Sequence, residues 1–386
     1  MKIKLGIIFG GKAPEHEISI ISASQVLKAI NPDKYDIIPI YISKNQLFYT
    51  GDILLNLTNY KDLDNLLKQA TQIDFSQKDN NLYIKKSNAK LLNNYISKID
   101  LVIPVMHGIN GEDGTIHGLL QSLNVPYAGC DITSAAVGQD KVIQKCIMQA
   151  HNIPTCPWFY MYANNFDNDL NTYLQQAKNL GYPLIIKPSN LGSSIGIEIA
   201  NNENEFIDKI RTCSKYDNKL LIEKCLKDFT EINISVLGNT YKQKLSITEQ
   251  VLKHDEILSF NDKYLGNSSK KLCSTKTKGM ASTSRIIPAD IDDKLIKEIE
   301  RHALNAFLAI GASGVCRIDF MLDNTTNNIY LVEINTIPGS LAFYLWEKVG
   351  IPFDALIDEL VSIAIDNQRI KDNLVITFDS NILKTL

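Results

Sequence analysis

The opening of the chain constrains the fold most, because a mainly apolar run is followed at once by two glycines and a helical pattern. Residues 3–9 are predicted to form a buried strand, Gly10 and Gly11 a turn, and residues 17–30 a helix with one apolar face. The next predicted elements are strands near 36–42 and 99–105 and helices near 61–70 and 114–123. This alternation is typical of a parallel α/β sheet.

The pattern changes near residue 140 and predicts a separate α+β unit. Its predicted elements are helices at 140–150 and 203–212 and strands at 184–187, 195–200 and 219–223. Two strong strands, 315–321 and 329–334, follow later, and then helices that begin near Ser340 and Phe353. The polar segment 72–98 is expected to be peripheral. The stretch 261–284 has almost no apolar periodicity, and such a long loop is usually functional or disordered.

Composition narrows the class of protein. A chain of 386 residues is too long for a single domain of ordinary size, so two or three domains are expected. Such domains can enclose a site between them. A net charge of -3 gives no basic surface for nucleic acid, and no apolar run is long enough to span a membrane. Seven cysteines without a CxxC pair indicate reduced, mostly buried thiols. A cytoplasmic location is expected.

Two polar clusters follow predicted strands of the first sheet. Glu15 begins the first helix, and His107 opens a glycine-rich segment that contains Glu112 and Asp113. The carboxyl ends of parallel strands meet at one edge, so the clusters are expected to converge there. Glu15 could equally complement the helix dipole, and Glu112 and Asp113 could simply cap the next helix.

The segment 6–12 also fits the spacing of a phosphate-binding loop, GxxxxGK. Position 13 is Ala, however, where such a loop needs Ser or Thr, and most of the segment belongs to the predicted strand. A strand followed by a tight turn is therefore the preferred interpretation.

A second group of residues suits an anion and a hard metal ion. Lys187 ends a strand and leads into a Gly/Ser turn at 189–196, which can point backbone N–H groups at an anion or be only a polar hairpin. The period of a strand puts Arg317 and Asp319 on one face, and likewise Glu333 and Asn335 on the next strand. The carboxylate and amide oxygens suit Mg²⁺, whereas no His or Cys pair has zinc spacing. A purely structural pairing of these carboxylates with Arg317 is the alternative.

The motifs occur in the order found in one family. They are GGKAPEHEIS, HGINGEDG, QDK at 139–141, KPSNLGSSIG, IEK at 222–224, DKY at 262–264, RIDFML and EINTIPGS. Together they resemble the D-alanine-D-alanine ligases of the ATP-grasp superfamily over about residues 10–360. The resemblance implies α/β and α+β domains at 1–138, 139–236 and 237–386, with an N-terminal parallel sheet and an active-site lid at about 261–284.

The resemblance also implies the reaction and the ligands. ATP phosphorylates the carboxylate of one D-alanine, and the amine of a second D-alanine attacks the acyl phosphate, which supplies peptidoglycan precursor. Mg²⁺, with Mn²⁺ as a substitute, would be held by Asp319, Glu333 and Asn335. The partners are small amino acids and ATP, without nucleic acid or membrane, and a homodimer is left open as the assembly.

The remaining roles follow from the same resemblance. Arg317 and the Gly339 N–H would hold the oxyanion of the tetrahedral intermediate. Glu15 would bind the first ammonium group within a network with Ser193 and Tyr264, and His107 would lie beside that substrate. The residues placed at ATP are, for phosphate, Lys141, Lys187 and Lys263; for adenine, Glu223, Lys224 and Leu226; and for ribose, Glu231.

Two features depart from the commoner family pattern. The lid segment is longer and more basic, with Lys270, Lys271, Lys276 and Lys278. Tyr344 stands where many members have a small hydroxyl residue on the second substrate's carboxylate. It is expected to turn into that pocket, and the alternative is that it turns away into the core and leaves the carboxylate to Arg317 and Gly339. The open alternatives are a ligase for D-serine, D-lactate or another small second substrate, a silent nucleotide-binding module, and a carboxylase of the same superfamily.

Overall fold

The protein folds around three β-sheets. We describe a computed structural model in which residues 2–79, 81–87, 94–252 and 285–377 are placed. Within these ranges no helix is both long and apolar enough to cross a membrane. The six cysteines in these ranges are all free, and four of them are buried.

The first sheet has a parallel centre, as the opening of the sequence predicts. Its parallel strands are β1 (Ile3–Gly10), β2 (Tyr35–Ile42) and β7 (Leu101–Val105), in the order β2-β1-β7. Helices α1 (His16–Ala29) and α3 (Thr115–Ser122) each follow one of these strands. The strand ends of β1 and β7 therefore open at the same edge of the sheet.

The segment expected to be peripheral extends this sheet with antiparallel strands. The added strands are β3 (Phe48–Thr50), β4 (Thr71–Lys78), β5 (Asn81–Lys86) and β6 (Tyr95–Ile99), with the short helix α2 (Leu63–Gln69) before β4. Ile73 and Ile84 are buried, whereas their strand neighbours are partly or fully exposed. The prediction of a parallel sheet thus holds for the centre, and the sheet as a whole is mixed.

The second sheet is antiparallel and lies in the middle of the sequence. Its strands are β8 (Trp158–Tyr162), β9 (Leu184–Pro188), β10 (Glu198–Ala200) and β11 (Lys219–Lys224), in the order β10-β9-β11-β8. Helices α6 (Leu170–Leu180) and α7 (Glu203–Cys213) accompany it. Its core is built around Phe206, Ile186 and Leu220, which are inaccessible to solvent.

The third sheet is also antiparallel. Its strands are β12 (Phe229–Gly238), β13 (Gln243–Leu245), β14 (Glu249–Val251), β15 (Arg285–Ile286), β16 (Gly314–Asp323) and β17 (Ile329–Asn335). Its apolar face packs against α8 (Asp293–Ala309) and residues of α4 (Ile132–Gln139) and α5 (Lys141–Ala150). The opposite face carries polar side chains, because the strand period puts alternate residues on opposite sides.

The end of the chain returns to the first sheet. Two helices, α9 (Phe343–Glu347) and α10 (Phe353–Asp372), follow β17. Leu356, Leu360 and Val361 of α10 join the same buried cluster as Leu5 and Ile7 of β1. The hydrophobic core of the first sheet is therefore completed by the last helix described.

Candidate active site

The two clusters predicted at the edge of the first sheet do converge. Glu15 precedes α1 and is 3% exposed, and Gly108 follows β7. A Cβ added at Gly108 would lie 2.3 Å from Glu15 Oε2, so only glycine allows the loop this close to the carboxylate. Gly192 of the second unit also approaches, since its added Cβ would lie 3.4 Å from Glu15 Oε1.

His107 lies buried beside Glu15 at the same edge. Its Nε2 is 2.9 Å from Ser22 Oγ on α1. Burial lowers the pKa of His107 to about 4, the charge of Arg317 acts in the same direction, and a backbone hydrogen bond at Ile337 opposes them. The imidazole is therefore neutral at physiological pH.

Glu112 and Asp113 differ in what they do. Asp113 Oδ1 accepts the N–H of Thr115 at 3.0 Å, but the N-cap residue of α3 is Gly114, without a side-chain cap. Glu112 instead turns back and accepts the Gly108 N–H at 2.7 Å. Burial raises the pKa of Glu112 to about 8, against the Gly108 hydrogen bond, and the charges of Glu15 and Glu333 add to the rise.

The Gly/Ser turn after Lys187 forms the junction of two cavities. Ser193 and Ser194 have φ of 56° and 59°, in the left-handed region that non-glycine residues rarely adopt. Gly192 and Ser193 line both a large cleft of about 870 Å³ and a small cavity of about 90 Å³. The turn thus faces two sites at once.

The large cleft lies between the second and third sheets. Its walls include Lys141, Lys187, Leu226, Glu231, Asp319 and Glu333. Lys141 Nζ donates to the Leu191 carbonyl at 2.6 Å and lies 4.0 Å from Glu333 Oε2. The volume is that of a site for a molecule of nucleotide size.

A buried lysine that sequence analysis missed forms an ion pair with Glu223, which lines this cleft. Lys145 Nζ lies 2.5 Å from Glu223 Oε1, and Lys187 Nζ lies 2.6 Å from Glu223 Oε2. Burial alone would raise the pKa of Glu223, but the two ammonium groups outweigh it and lower the pKa to about 2. Burial opposes the charge on Lys187, yet Glu223 raises its pKa above the ordinary value. We call Lys145, Lys187 and Glu223 the lysine cluster.

The residues predicted to bind adenine are arranged differently from one another. Glu223 uses both carboxylate oxygens in the lysine cluster. Lys224 lines the cleft, but its Nζ donates to the Gly181 and Tyr182 carbonyls at 2.7 and 3.2 Å. Leu226 lines the cleft directly. The adenine role stays a prediction for all three, and so does the ribose role of Glu231.

A row of polar residues crosses the third sheet at the boundary of the two cavities. The register pairs Glu249 with Asn233, Asn233 with Asp319, and Asp319 with Glu333. Directly paired residues have side chains on one face of the sheet. Asp319 and Glu333 are therefore neighbours, as predicted. The row of polar residues continues across two more strands, through Asn233 and Glu249, than the sequence indicated.

Arg317 and Asp319 form a two-point ion pair in this row. Arg317 Nε donates to Asp319 Oδ1 at 2.7 Å, and Nη2 donates to Oδ2 at 2.6 Å. Asn335 Nδ2 donates to the same Oδ2 at 3.0 Å. The alternative of a structural pairing with Arg317 thus applies to Asp319. Glu333 instead lines both cavities and lies near Lys141.

The donor set of this row fits Mg²⁺. Asp319 and Glu333 offer carboxylate oxygens and Asn335 an amide oxygen, and Mg²⁺ is typically bound by one or two carboxylates together with substrate phosphates. Among the placed residues no three His, Cys, Asp or Glu side chains form a metal cage by themselves. These few oxygen donors would suit a hard cation whose remaining ligands are phosphate oxygens.

The small cavity is charged and lies between the first and third sheets. Five carboxylates and two guanidinium groups line it: Glu15, Glu112, Glu231, Glu249, Glu333, Arg285 and Arg317. Gly339 closes one side and is followed by three residues with left-handed φ, Ser340, Leu341 and Ala342. Such strained backbone is typical of functional sites.

Tyr344 reaches the border of the small cavity through its hydroxyl and its ring, and its role at the carboxylate of the second substrate stays a prediction. Its hydroxyl donates to Glu249 Oε1 at 2.7 Å, and the guanidinium carbon of Arg285 lies 4.3 Å from its ring centre. Glu249 and Arg285 line the cavity, and Tyr344 contacts both of them. The buried Glu249 carboxylate needs donors, and the long tyrosine side chain reaches it.

Several expected residues lie outside the placed ranges. These are Lys263, Tyr264, Lys270, Lys271, Lys276, Lys278 and the whole lid segment 261–284. Of the network of Glu15, Ser193 and Tyr264, the structure brings the first two to the walls of one cavity.

Sequence analysis also missed Asn233, Glu249 and Arg285, which line the small cavity. A signal for Asn233 was present, because Glu231, Asn233 and Ser235 alternate with apolar residues on β12. Lys145 likewise occupies a helical position between Val142 and Met148, which are both buried. Arg285 gave no comparable signal, because its strand has two residues.

Two sheets that enclose a lysine-bordered cleft, with Mg²⁺-type oxygens at its inner end, define an ATP-grasp enzyme. Family models described as D-ala D-ala ligase N-terminus and C-terminus match residues 4–130 and 147–362. The chain belongs to the D-alanine-D-alanine ligase family.

Individual relatives support this assignment along the whole chain. The D-alanine-D-alanine ligase of Thermosipho melanesiensis is 39% identical over 384 residues, covering 99% of this chain and 98% of the relative. The D-alanine-D-alanine ligase structure from Coxiella burnetii superposes with a TM-score of 0.78 at 27% identity, covering 96% of each chain. The VanG D-Ala:D-Ser ligase from Enterococcus faecalis has a TM-score of 0.76 at 28% identity, covering 94% of this chain and all of the other.

Proposed function

We propose that the chain joins two D-alanine molecules at the expense of ATP, for peptidoglycan precursor synthesis. The observation that carries this is the junction of the cavities: Gly192, Ser193, Glu231 and Glu333 line both. A nucleotide in the large cleft would therefore present its terminal phosphate to an amino acid in the small cavity.

The first step transfers a phosphoryl group. A carboxylate oxygen of the first D-alanine attacks the γ-phosphorus, and ADP leaves. Glu15 binds the ammonium group of this substrate, and the neutral His107 lies beside it without adding a charge. Lys141 and Lys187 face the phosphates, where fixed cations lower the repulsion between two anions. When bound on Asp319, Glu333 and Asn335, Mg²⁺ supplies further neutralisation of phosphate charge.

The second step forms the peptide bond. The second D-alanine first loses its ammonium proton to solvent, and its free amine attacks the acyl carbon. The tetrahedral intermediate expels phosphate, which accepts the proton that the nitrogen gives up. Arg317 and the N–H of Gly339 stabilise the oxyanion of that intermediate. The ion pair with Asp319 fixes the Arg317 guanidinium before substrate arrives, which is the condition for effective charge stabilisation.

An amino-acid survey tests the function. Phosphate release from ATP would be measured with single D- and L-amino acids and then with pairs, and the dipeptides identified by mass spectrometry. D-alanyl-D-alanine is the expected product. Phosphate release without a dipeptide, or release that no amino acid stimulates, would exclude a ligase of this type.

The second substrate is the finer part of the proposal. A D-Ala:D-Ser ligase is among the similar structures, and Tyr344 stands at the position that departs from the commoner pattern. The same survey with D-serine and D-lactate as partners of D-alanine separates these activities, and D-alanine is the partner we propose.

We further propose a cytoplasmic enzyme that acts on small molecules and not on nucleic acid or membranes. The net charge of -3 and the supply of ATP support this. Sedimentation analysis of the purified chain tests the homodimer.

A further inference from the structure

Arg285 contributes a second guanidinium group to the small cavity. It lies on the edge strand β15 opposite Val251, which pairs in turn with Glu231 of β12. This register puts Arg285 on the face of the third sheet that carries Glu249 and the Asp319 row. The side chain is 14% exposed, and it lines the same cavity as Arg317.

The position of this guanidinium is fixed from two sides. Its Nη1 donates to Glu249 Oε2 at 2.9 Å, and its carbon stacks over the Tyr344 ring at 4.3 Å. Glu249, with a side chain only 2% exposed, accepts from Tyr344 Oη at 2.7 Å and Asn233 Nδ2 at 3.1 Å through Oε1. A carboxylate held by three partners is a firm anchor for a cation.

Arg317 and Arg285 lie in the same cavity, which has to accommodate two negative charges during the proposed reaction. Arg317 already gives Nε and Nη2 to Asp319, and the proposed mechanism assigns it to the oxyanion. The second amino acid brings a carboxylate as well, into a cavity with five carboxylates of its own. A second cation is needed there, because an unpaired anion in such surroundings is strongly disfavoured.

We propose that Arg285 binds the carboxylate of the second amino acid and determines that this substrate must carry one. The inference rests on the proposed ligase function. It also gives Tyr344 a role: instead of bonding the carboxylate itself, as a small hydroxyl residue would, it supports Arg285 and Glu249. A planar guanidinium matches a carboxylate with two parallel hydrogen bonds, and stacking on an aromatic ring fixes the orientation of that plane.

The test compares D-alanine with D-alaninamide as second substrate, for the wild type and Arg285→Gln. The two KM values for D-alanine are resolved from rates over a wide concentration range. Arg285→Gln should raise the second KM roughly 10- to 100-fold, as expected for losing a charge-assisted contact. The KM for ATP and the first KM for D-alanine should stay within about twofold. The preference for D-alanine over the amide should fall by the same factor as the second KM rises.

Matched variants separate a binding role from a structural one. Arg285→Lys keeps the charge but loses the planar fork, so its second KM should lie between those of wild type and Arg285→Gln. Arg285→Gln could lose stability because it leaves the buried Glu249 carboxylate without its counter-ion. The double variant Glu249→Gln with Arg285→Gln removes both charges, so its second KM tests the binding role if Arg285→Gln has a lowered melting temperature. Arg369→Gln on α10, where the side chain is 74% exposed, should behave as wild type.

The outcomes distinguish this inference from the proposed function. If the wild type forms D-alanyl-D-alanine and the folded Arg285 variants keep the second KM and the preference over the amide, the inference is wrong and the function stands. If the wild type forms no dipeptide from D-alanine, the proposed function fails, and the inference with it.

Discussion

Two glutamates in neighbouring parts of the site, Glu223 buried and Glu112 half-buried, have pKa values displaced in opposite directions. Glu223 lies in the lysine cluster under the large cleft, where its pKa is lowered to about 2. Glu112 lies at the wall of the small cavity, where its pKa is raised to about 8. Burial raises the pKa of both and is the main cause at Glu112, where the charges of Glu15 and Glu333 add to it. At Glu223 the two ammonium groups reverse the effect of burial.

The difference between these two pKa values shows how one site can bind anionic phosphates and cationic ammonium groups in neighbouring cavities. The lysine cluster has two cations for one anion, which keeps Lys187 charged for phosphates. The small cavity has an excess of carboxylates, which suits the ammonium groups of amino acids. The following variants test whether each arrangement depends on its charges, in order of decreasing expected effect.

Glu223→Gln should cost the most stability, because it leaves Lys145 and Lys187 buried without their counter-ion. Removing one partner of a buried ion pair costs about 3–5 kcal/mol in the free energy of unfolding. The matched control is Glu198→Gln, which breaks a pair of similar length, 2.6 Å, between side chains 38% and 22% exposed. That surface pair should contribute less than about 1 kcal/mol. Urea unfolding of both variants gives the comparison, and equal losses would contradict it.

The low pKa of Glu223 adds a pH dependence. Its folded pKa of about 2 lies below its ordinary value of 4.5, so the stabilisation is complete above pH 4.5 and is lost as the pH falls towards 2. Glu223→Gln should lack this part of the acid sensitivity.

Glu333→Gln should leave the fold intact and remove most activity. The variant loses a charged ligand of the proposed Mg²⁺ site, and removal of such preorganised charge stabilisation costs on the order of 10²-fold or more in rate. Dipeptide formation at saturating substrates would be measured, together with the melting temperature. The exposed Glu347→Gln provides the control. Near-normal turnover of Glu333→Gln would remove Glu333 from the metal site.

Glu112→Gln should change the pH dependence of stability. The folded pKa of Glu112, about 8, lies above its ordinary value of 4.5, so wild type loses stability as the pH rises between these values. Glutamine resembles the protonated carboxyl and can still accept the Gly108 N–H. We expect the ligand-free variant to avoid a loss of about 1–2 kcal/mol between pH 6 and 9. Melting curves of wild type, Glu112→Gln and the exposed Glu203→Gln test this, and parallel pH profiles would contradict it.

Tyr344→Phe should have the smallest effect. The variant loses the hydrogen bond to Glu249 but keeps a ring under Arg285. A hydrogen bond to a charged group contributes about 1.5–3 kcal/mol. Glu249 keeps Asn233 and Arg285 as partners in the variant, so we expect a smaller loss of about 1 kcal/mol in the free energy of unfolding. The second KM should rise only a few-fold, about 2- to 5-fold, compared with Arg285→Gln. Tyr330→Phe on β17 is the control. A larger effect than that of Arg285→Gln would show that Tyr344 itself touches the substrate.

The sequence predicted the parts of the site that depend on strand ends and strand period. Glu15 and His107 each follow a buried strand, and Arg317 and Asp319 stand two residues apart, so their convergence could be inferred. Lys145, Glu249 and Arg285 depend on which residues face each other across elements distant in the sequence. That register follows from tertiary packing, which a single sequence does not state.

The same contrast holds for the fold. The strands β1 and β7 are buried on both faces and are continuous apolar runs, so they were predicted. The strands β4 and β5 have one solvated face, and their few apolar residues, such as Ile73 and Ile84, are separated by Gln, Asn and Lys. Half-exposed strands of this composition resemble loops, since they lack both a long apolar run and a strong strand propensity. The domain boundaries at 138 and 236 stay predictions.

The last helix has a consequence for how the protein is made. Leu356, Leu360 and Val361 of α10 complete the core around β1, yet they leave the ribosome long after β1 and β7. At roughly 5–20 residues per second, the first sheet waits on the order of tens of seconds for this cover. During that time its apolar face is open to chaperones and to other nascent chains. A fragment that ends before α10 should therefore accumulate in aggregates, even though it retains every residue assigned here to catalysis.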